Sequence, residues 1–371
     1  MMHHIETPAV AAADSPRQRW MLIQQKRWVY GFLLGLLLMT GTACSEDIST
    51  PTAAEPALPT GAGPLQELTT LPNSWMSRAP MPTPRKGLVA ASVNGIVYAI
   101  GGWRKANSRL STVEAYNPAT STLVAWTSKA PLPAGRYLPD GAAVINGKIY
   151  VPGGLSALGP TRSLFLYNPA TNSWTSKALM PIASYGGAAA TIDGKLYVLA
   201  TLPGPDQLFS GPTRLFRYDP ASNAWTELAS APHHHHLGVA RAINGKLFVA
   251  GGMTRESGEY GPEPRPWAQL DMYDPATNTW VAGRPMPEAR YGGSGGVIDG
   301  KLYVAGGWKT GLSPVATLDV YDPATNTWAA RADMPTARGG TGAGVANGVL
   351  YVLGGGTGDS EGLKTNEAYF K

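Results

Sequence analysis

Six histidines limit where imidazole chemistry can occur in this chain. His3 and His4 stand at the extreme N-terminus, and the rest form one run, His233-His234-His235-His236. In an extended segment alternate residues share a face, which pairs His233 with His235 and His234 with His236. Two imidazoles are too few for a closed zinc site unless loop carboxylates such as Glu256 or Glu259 join them. The run therefore reads as a polar rim, and neither a metal nor another cofactor is expected. Arginine is the second candidate. Arg85, Ser184, His235, Arg290 and Arg338 each stand ten residues before a turn glycine, while Arg136 comes one place earlier and leaves Tyr137 in that slot. Guanidiniums gathered at one rim suit a carboxylate, sulfate or phosphate through forked hydrogen bonds. Tyr185 and Tyr291, next in register, add stacking and hydroxyl contacts for a sugar or peptide. No carboxylate falls in repeat register beside these arginines. Acid–base work would have to draw on the loop residues Asp206, Glu256, Glu259 and Asp359. There is no Ser/His/Asp elbow and no phosphate-cradling glycine loop. A single cysteine, Cys44, excludes an internal disulfide, a paired-cysteine metal site and an iron–sulfur cluster.

The elements that must position these residues follow from composition and repetition. Gly (45) and Pro (32) make up about a fifth of 371 residues, beside 16 Tyr and 11 Trp, which points to many short strands and tight turns. With 43% hydrophobic and 15% charged residues the chain can bury a core, and a net charge of +5 without basic runs argues against nucleic acid as the main partner. From about Leu71 onward four signals recur. A turn dipeptide appears at Asn94-Gly95, Asn146-Gly147, Asp193-Gly194, Asn244-Gly245, Asp299-Gly300 and Asn347-Gly348, each suited to a two-residue type I′ hairpin. A short apolar strand follows, closed by Gly-Gly in five repeats and by Ala200-Thr201 in the third. Next a Tyr opens an Asp-Pro or Asn-Pro turn, as in Tyr273 and Tyr321, and a Trp begins the fourth strand. A period of about 50 residues with four strands per unit predicts an all-β, six-bladed β-propeller. Trp75 has no Tyr before it and Tyr369 no Trp after it, so the N-terminal strand is expected to close the last blade.

An apolar run, Gly-Gly, Tyr and then Trp resembles the Kelch motif, and the resemblance covers 71–371. It implies a six-bladed Kelch propeller and says little about function, because Kelch propellers serve many roles. Meander topology puts the loops from strand two to three, and from strand four to the next strand one, on one face. Those loops are long and dissimilar, so ligand binding is expected there, with Arg85, Arg136, Tyr185, His235, Arg290, Tyr291 and Arg338 as its residues. The expected ligand is a protein, peptide or glycan, with an anionic one suiting the arginines, and the propeller is expected to be monomeric. An enzyme on an anionic sugar, similar to a sialic-acid mutarotase, is the alternative. Copper chemistry of the galactose oxidase kind, which needs a Tyr cross-linked to Cys, is excluded because the sole cysteine is Cys44.

The N-terminal region carries an address. Lys26-Arg27, the apolar run Trp28 to Met39 and Gly41-Thr42-Ala43-Cys44 make residues 1–43 a signal peptide, with Met21 an alternative start. Cys44 sits where a bacterial lipoprotein signal puts its acylated residue, although Gly41 stands where such signals carry Leu. Residues 44–70, rich in Pro, Thr and Ala, read as a flexible tether. The expected location is the periplasm or cell surface, lipid-anchored through Cys44, with plain secretion as the alternative.

Overall fold

The computed structural model describes residues 71–371 apart from 105–107, 121–124, 202–212, 259–260 and 359–360. Cys44 and the tether lie outside the described residues. Turn chemistry sets the strand pairing. The six Asn or Asp residues of the turn dipeptides adopt φ between +47° and +52°, and each following Gly lies between +69° and +78°. These left-handed pairs make the hairpins whose twist matches that of the flanking strands.

Six four-stranded antiparallel sheets result among the described residues. Blade one comprises Val89–Val93, Ile96–Ile100, Val113–Tyr116 and Trp126–Lys129. The next four blades begin at Ala143, Ala188, Val239 and Ser294. The sixth takes Gly342–Ala346, Val349–Leu353 and Asn366–Phe370 from the C-terminus, and Ser74–Ser77 from the start of the propeller. Trp75 pairs with Tyr369 there, so the ring closes through the two terminal strands.

The recurring Tyr, Asn and Trp join one blade to the next. In blade two the Tyr167 hydroxyl donates to Asn172 Oδ1 at 2.7 Å, and that oxygen also accepts the Ala130 amide of blade one at 2.8 Å. Trp174 Nε1 donates to the Ala130 carbonyl at 2.8 Å. The same triad recurs with Tyr321, Asn326 and Trp328, and across the closure with Tyr369, Asn73 and Trp75. Apolar residues of adjacent sheets fill the space between: Ile100 and Ala115 of blade one pack with Ile149 and Tyr167 of blade two.

At the axis, six residues form a closed ring of backbone hydrogen bonds. Gly87 donates to Gly340, Gly340 to Gly292, Gly292 to Leu237, Leu237 to Gly186, Gly186 to Leu138, and Leu138 back to Gly87, all between 2.6 and 2.9 Å. Every member has positive φ, including Leu138 (+47°) and Leu237 (+58°). At Gly87 and Gly186 glycine is favoured for a second reason. A Cβ on Gly87 would stand 2.2 Å from the Tyr137 ring, and one on Gly186 would stand 2.4 Å from His236.

Candidate functional site

The arginines do not form an open rim. Arg85, Arg290 and Arg338 are buried, and each turns into its own blade toward a carboxylate on the third strand. Arg85 Nη1 lies 2.8 Å from Glu114, and Arg290 Nη1 lies 2.7 Å from Asp319. Arg338 Nη1 contacts Glu367. The Arg85 and Arg290 contacts are skewed, close as ion pairs but off the axis of a directed hydrogen bond. Burial pulls the Arg85 and Arg338 guanidiniums below their ordinary range, against the pull of their carboxylates. His235 holds the equivalent place in blade four and contacts Asp271 through Nε2 at 2.9 Å, with His233 Nδ1 on the same carboxylate at 2.9 Å. Burial raises the Asp271 carboxyl, but the two histidines outweigh it and hold it below the usual carboxylate range. His233 and His235 thus face one carboxylate of their own blade.

Arg136 also departs from its expected position. It occupies the arginine slot of blade two, because the Gly102 amide bonds its carbonyl as the Gly355 amide bonds that of Arg85. The extra residue is absorbed further on, around Pro139-Asp140, so counting back from the turn misplaces Tyr137. Among the described residues no carboxylate meets Arg136. Its guanidinium lies 5.1 Å from the Phe165 ring centroid and donates to Ser163 and to the Gly135 carbonyl. The partner of each slot was readable in the sequence. Two places before each third-strand Tyr stand Glu114, Phe165, Phe216, Asp271, Asp319 and Glu367. A carboxylate occurs where the slot holds Arg85, His235, Arg290 or Arg338, and Phe where it holds Arg136 or Ser184.

The next ring position gathers what the arginine slots do not. Lys86, Tyr137, Tyr185, His236 and Tyr291 follow the slot residue in blades one to five, at the mouth of the channel. Tyr137 leans over Gly87 of the preceding blade and His236 over Gly186, so these side chains cover the hydrogen-bonded ring. His236 stacks edge-on to Tyr185 at 5.4 Å and meets Thr201 Oγ1 at 2.9 Å. Burial, with Arg255 adding to it, drives the His236 pKa down to about 3, so its imidazole is neutral. Arg255 comes from a two-stranded arm, Met253–Gly258 paired with Gly261–Pro266, that rises from blade four. Burial pushes Tyr291 up to about 12 and Tyr185 above its ordinary value, and Arg255 opposes both shifts. Tyr137 is raised by burial and by Tyr185. Outside them stand Trp103, over which Lys86 lies at 5.1 Å, and Trp308, whose ring centroid is 5.8 Å from that of Tyr291. Tyr291 Oη, Trp308 Nε1, Trp267 Nε1 and Arg255 Nε are buried without a hydrogen-bond partner. These four unpaired polar atoms beside the channel mouth are groups whose partners a ligand could supply. Asp206, Glu259 and Asp359 lie outside the described residues, as does the side chain of Glu256.

The Kelch motif family is matched over residues 84–122, 141–181, 237–287 and 289–335. The Kelch-like protein terF of Aspergillus terreus is 32% identical over 315 residues, 68% of this chain and 67% of that protein. The chain belongs to the Kelch-repeat β-propeller family. Kelch-like protein 36 of mouse is 27% identical over 58% of this chain, and human Kelch-like protein 23 is 26% identical over 64%. The chain spans only 34% and 40% of those two relatives. The solved structure of YjhT shares the fold, with a TM-score of 0.63 at 20% identity, covering 78% of this chain and 95% of that one. The Kelch matches pass over 182–236, the repeat in which Ala200-Thr201 replaces Gly-Gly and Ser184 replaces Arg.

One carboxyl near the Kelch channel is held protonated. Asp140 is fully buried, accepts the Gly187 amide at 2.7 Å through Oδ1, and leaves Oδ2 unpaired. Burial drives its pKa up to about 8. It is sealed between Gly153 of its own blade and Gly187 of the next, out of reach of the open face.

Proposed function

We propose that this Kelch propeller is a cell-envelope binding module that seats a protein, peptide or glycan at the centre of the face bearing the strand two-to-three and four-to-one loops. The carrying observation is the cluster of Tyr137, Tyr185, His236, Tyr291 and Arg255 over the channel mouth, with its unpaired Tyr291 Oη and Arg255 Nε. Aromatic faces beside a guanidinium suit a ligand with apolar bodies and an acidic or hydroxyl group. Arg255 takes over the role first assigned to Arg85, Arg290 and Arg338, whose guanidiniums are already committed to carboxylates. Asp140, the one carboxyl with a raised pKa among the described residues, cannot reach that face, which favours binding over proton transfer to a sugar.

Glycan and peptide arrays probed with the mature protein identify the ligand, and calorimetric titration measures it. Arg255→Ala and Tyr185→Ala are each expected to weaken binding by roughly 2–4 kcal/mol with unchanged unfolding temperature. Binding at wild-type strength in both variants would move the site elsewhere. Export and acylation of Cys44 belong to the same proposal, and mass spectrometry of the mature N-terminus checks them.

A further inference from the structure

A charge stands inside the channel where the fold calls for a small residue. Three places before each turn Asn or Asp the first strands carry Ala91, Ala143, Ala190, Arg241, Gly296 and Gly344. Five blades show that Ala or Gly suffices for packing in this layer, so Arg241 is not there to fill space. Its guanidinium donates through Nη1 to the Ala240 carbonyl at 2.7 Å and through Nη2 to the Gly295 carbonyl of blade five. Among the described residues no carboxylate pairs with it, in contrast to Arg85, Arg290 and Arg338.

Arg241 borders two spaces along the axis. One, of about 90 Å³, lies against the hydrogen-bonded ring. The other, of about 280 Å³, is walled by Ala, Gly and Val together with Ser92 and Thr191, whose hydroxyls are buried without a hydrogen-bond partner. No second cation borders either space. Burial alone lowers the Arg241 pKa to about 10, which leaves the side chain charged at neutral pH. Arg241 is half-buried on the channel wall, where two backbone carbonyls bring dipoles but no charge, so a counter-ion entering the channel offsets an otherwise uncompensated cation.

We propose that the channel holds a small monovalent anion, a halide or short carboxylate, at the Arg241 guanidinium, in the space that Ser92 and Thr191 help to wall. One uncompensated positive charge sets both the sign and the valence of the ligand. The site lies inside the channel and is independent of the ligand bound on the open face.

Thermal unfolding of the mature protein in sodium chloride, sodium acetate and sodium gluconate at equal ionic strength tests this. Gluconate is the control, a carboxylate much bulkier than the class proposed. The wild type is expected to gain Tm with rising chloride or acetate beyond gluconate, as a ligand bound only to the folded state requires. The better of the two names the class. Arg241→Ala, which installs the residue of blades one to three, is expected to abolish the difference. Coincident chloride, acetate and gluconate curves in the wild type, or a difference that persists in Arg241→Ala, would overturn the proposal. Wild-type crystals soaked in bromide give a reading that does not depend on the variant folding. An anomalous peak within hydrogen-bond distance of the guanidinium supports the site for a halide. A channel that shows neither bromide nor, in acetate-soaked crystals, a carboxylate there refutes it.

Discussion

Replacing Arg290 with Ser leaves Asp319 charged, desolvated and without its partner inside blade five. Arg290 is 1% exposed and Asp319 7%, so water cannot take the place of the guanidinium. Removing one member of a buried pair typically costs about 3–5 kcal/mol. At about 2 °C per kcal/mol for a domain of this size, the expected loss is roughly 6–10 °C in Tm. The repeats themselves supply the compensating change. Blade three pairs Ser184 with Phe216 where blade five pairs Arg290 with Asp319, so Arg290→Ser/Asp319→Phe transplants a combination the fold already holds. Overpacking limits the recovery, and the double variant is expected within about 1–3 kcal/mol of wild type. Asp319→Phe alone reproduces the Arg136–Phe165 arrangement and is expected to cost less than Arg290→Ser, since the cation then lies over a ring. Denaturant unfolding of all four proteins completes a double-mutant cycle, with an expected coupling of at least about 2 kcal/mol. A neutral Arg290→Ser, or a double variant no better than the sum of the singles, would refute the paired-slot reasoning.

Two buried groups set opposed pH dependences. Folding raises the Asp140 pKa from 3.8 to about 8, so the folded state holds the extra proton in that window and stability falls as pH rises through it. Folding lowers the His236 pKa from 6.5 to about 3, so stability instead rises with pH between those values. The slopes, each up to about 1.4 kcal/mol per pH unit, cancel between roughly pH 4 and 6.5 and leave a net loss from there to about 8. Asp140→Asn, which mimics the neutral acid, is expected to remove that alkaline loss in urea titrations run at several pH values. Deleting residues 71–82 strips the strand that pairs Trp75 with Tyr369 and the buried Met81, so aggregation or loss of cooperative unfolding is expected by light scattering and calorimetry. Cys44→Ser is expected to shift the protein from the membrane fraction to the soluble one, as read by fractionation and immunoblotting.

Much of the candidate site was legible, and the two errors have distinct causes. Counting back from the turn glycine aligned the arginine slots in five blades, but it could not say toward which neighbour the side chains turn. The partner lay on the third strand, in register with the Tyr rather than the turn, and aligning Glu114, Asp271, Asp319 and Glu367 by their Tyr reveals it. The second error was local. An insertion at Pro139-Asp140 shifts the count in blade two, and the backbone bonds from Gly102 to the Arg136 carbonyl and from Leu138 to Gly87 establish that Arg136, not Tyr137, holds the slot. Register alone puts Tyr185 and Tyr291 on the face of the long loops, and in the structure both lie at the channel mouth. Arg255 had no such signal, because it reaches the mouth from an arm whose residues repeat nowhere else in the chain.

What the sequence by itself determined is whatever is encoded locally and repeated. Turn dipeptides with left-handed φ, Gly-Gly strand ends and the Tyr–Asn–Trp triad act within a few residues of one another or between equivalent positions of adjacent repeats, and the first recurs in six copies and the other two in five. Blade number, ring closure and the face carrying the long loops all follow from that repetition. Tertiary structure alone decided which charges are spent and which are available. Arg338 stands just before a first strand and Arg241 within one, yet one meets Glu367 within its own blade and the other meets two carbonyls in the channel. Burial and pairing depend on what neighbouring sheets place opposite a side chain, and that is a property of the closed ring rather than of any single repeat.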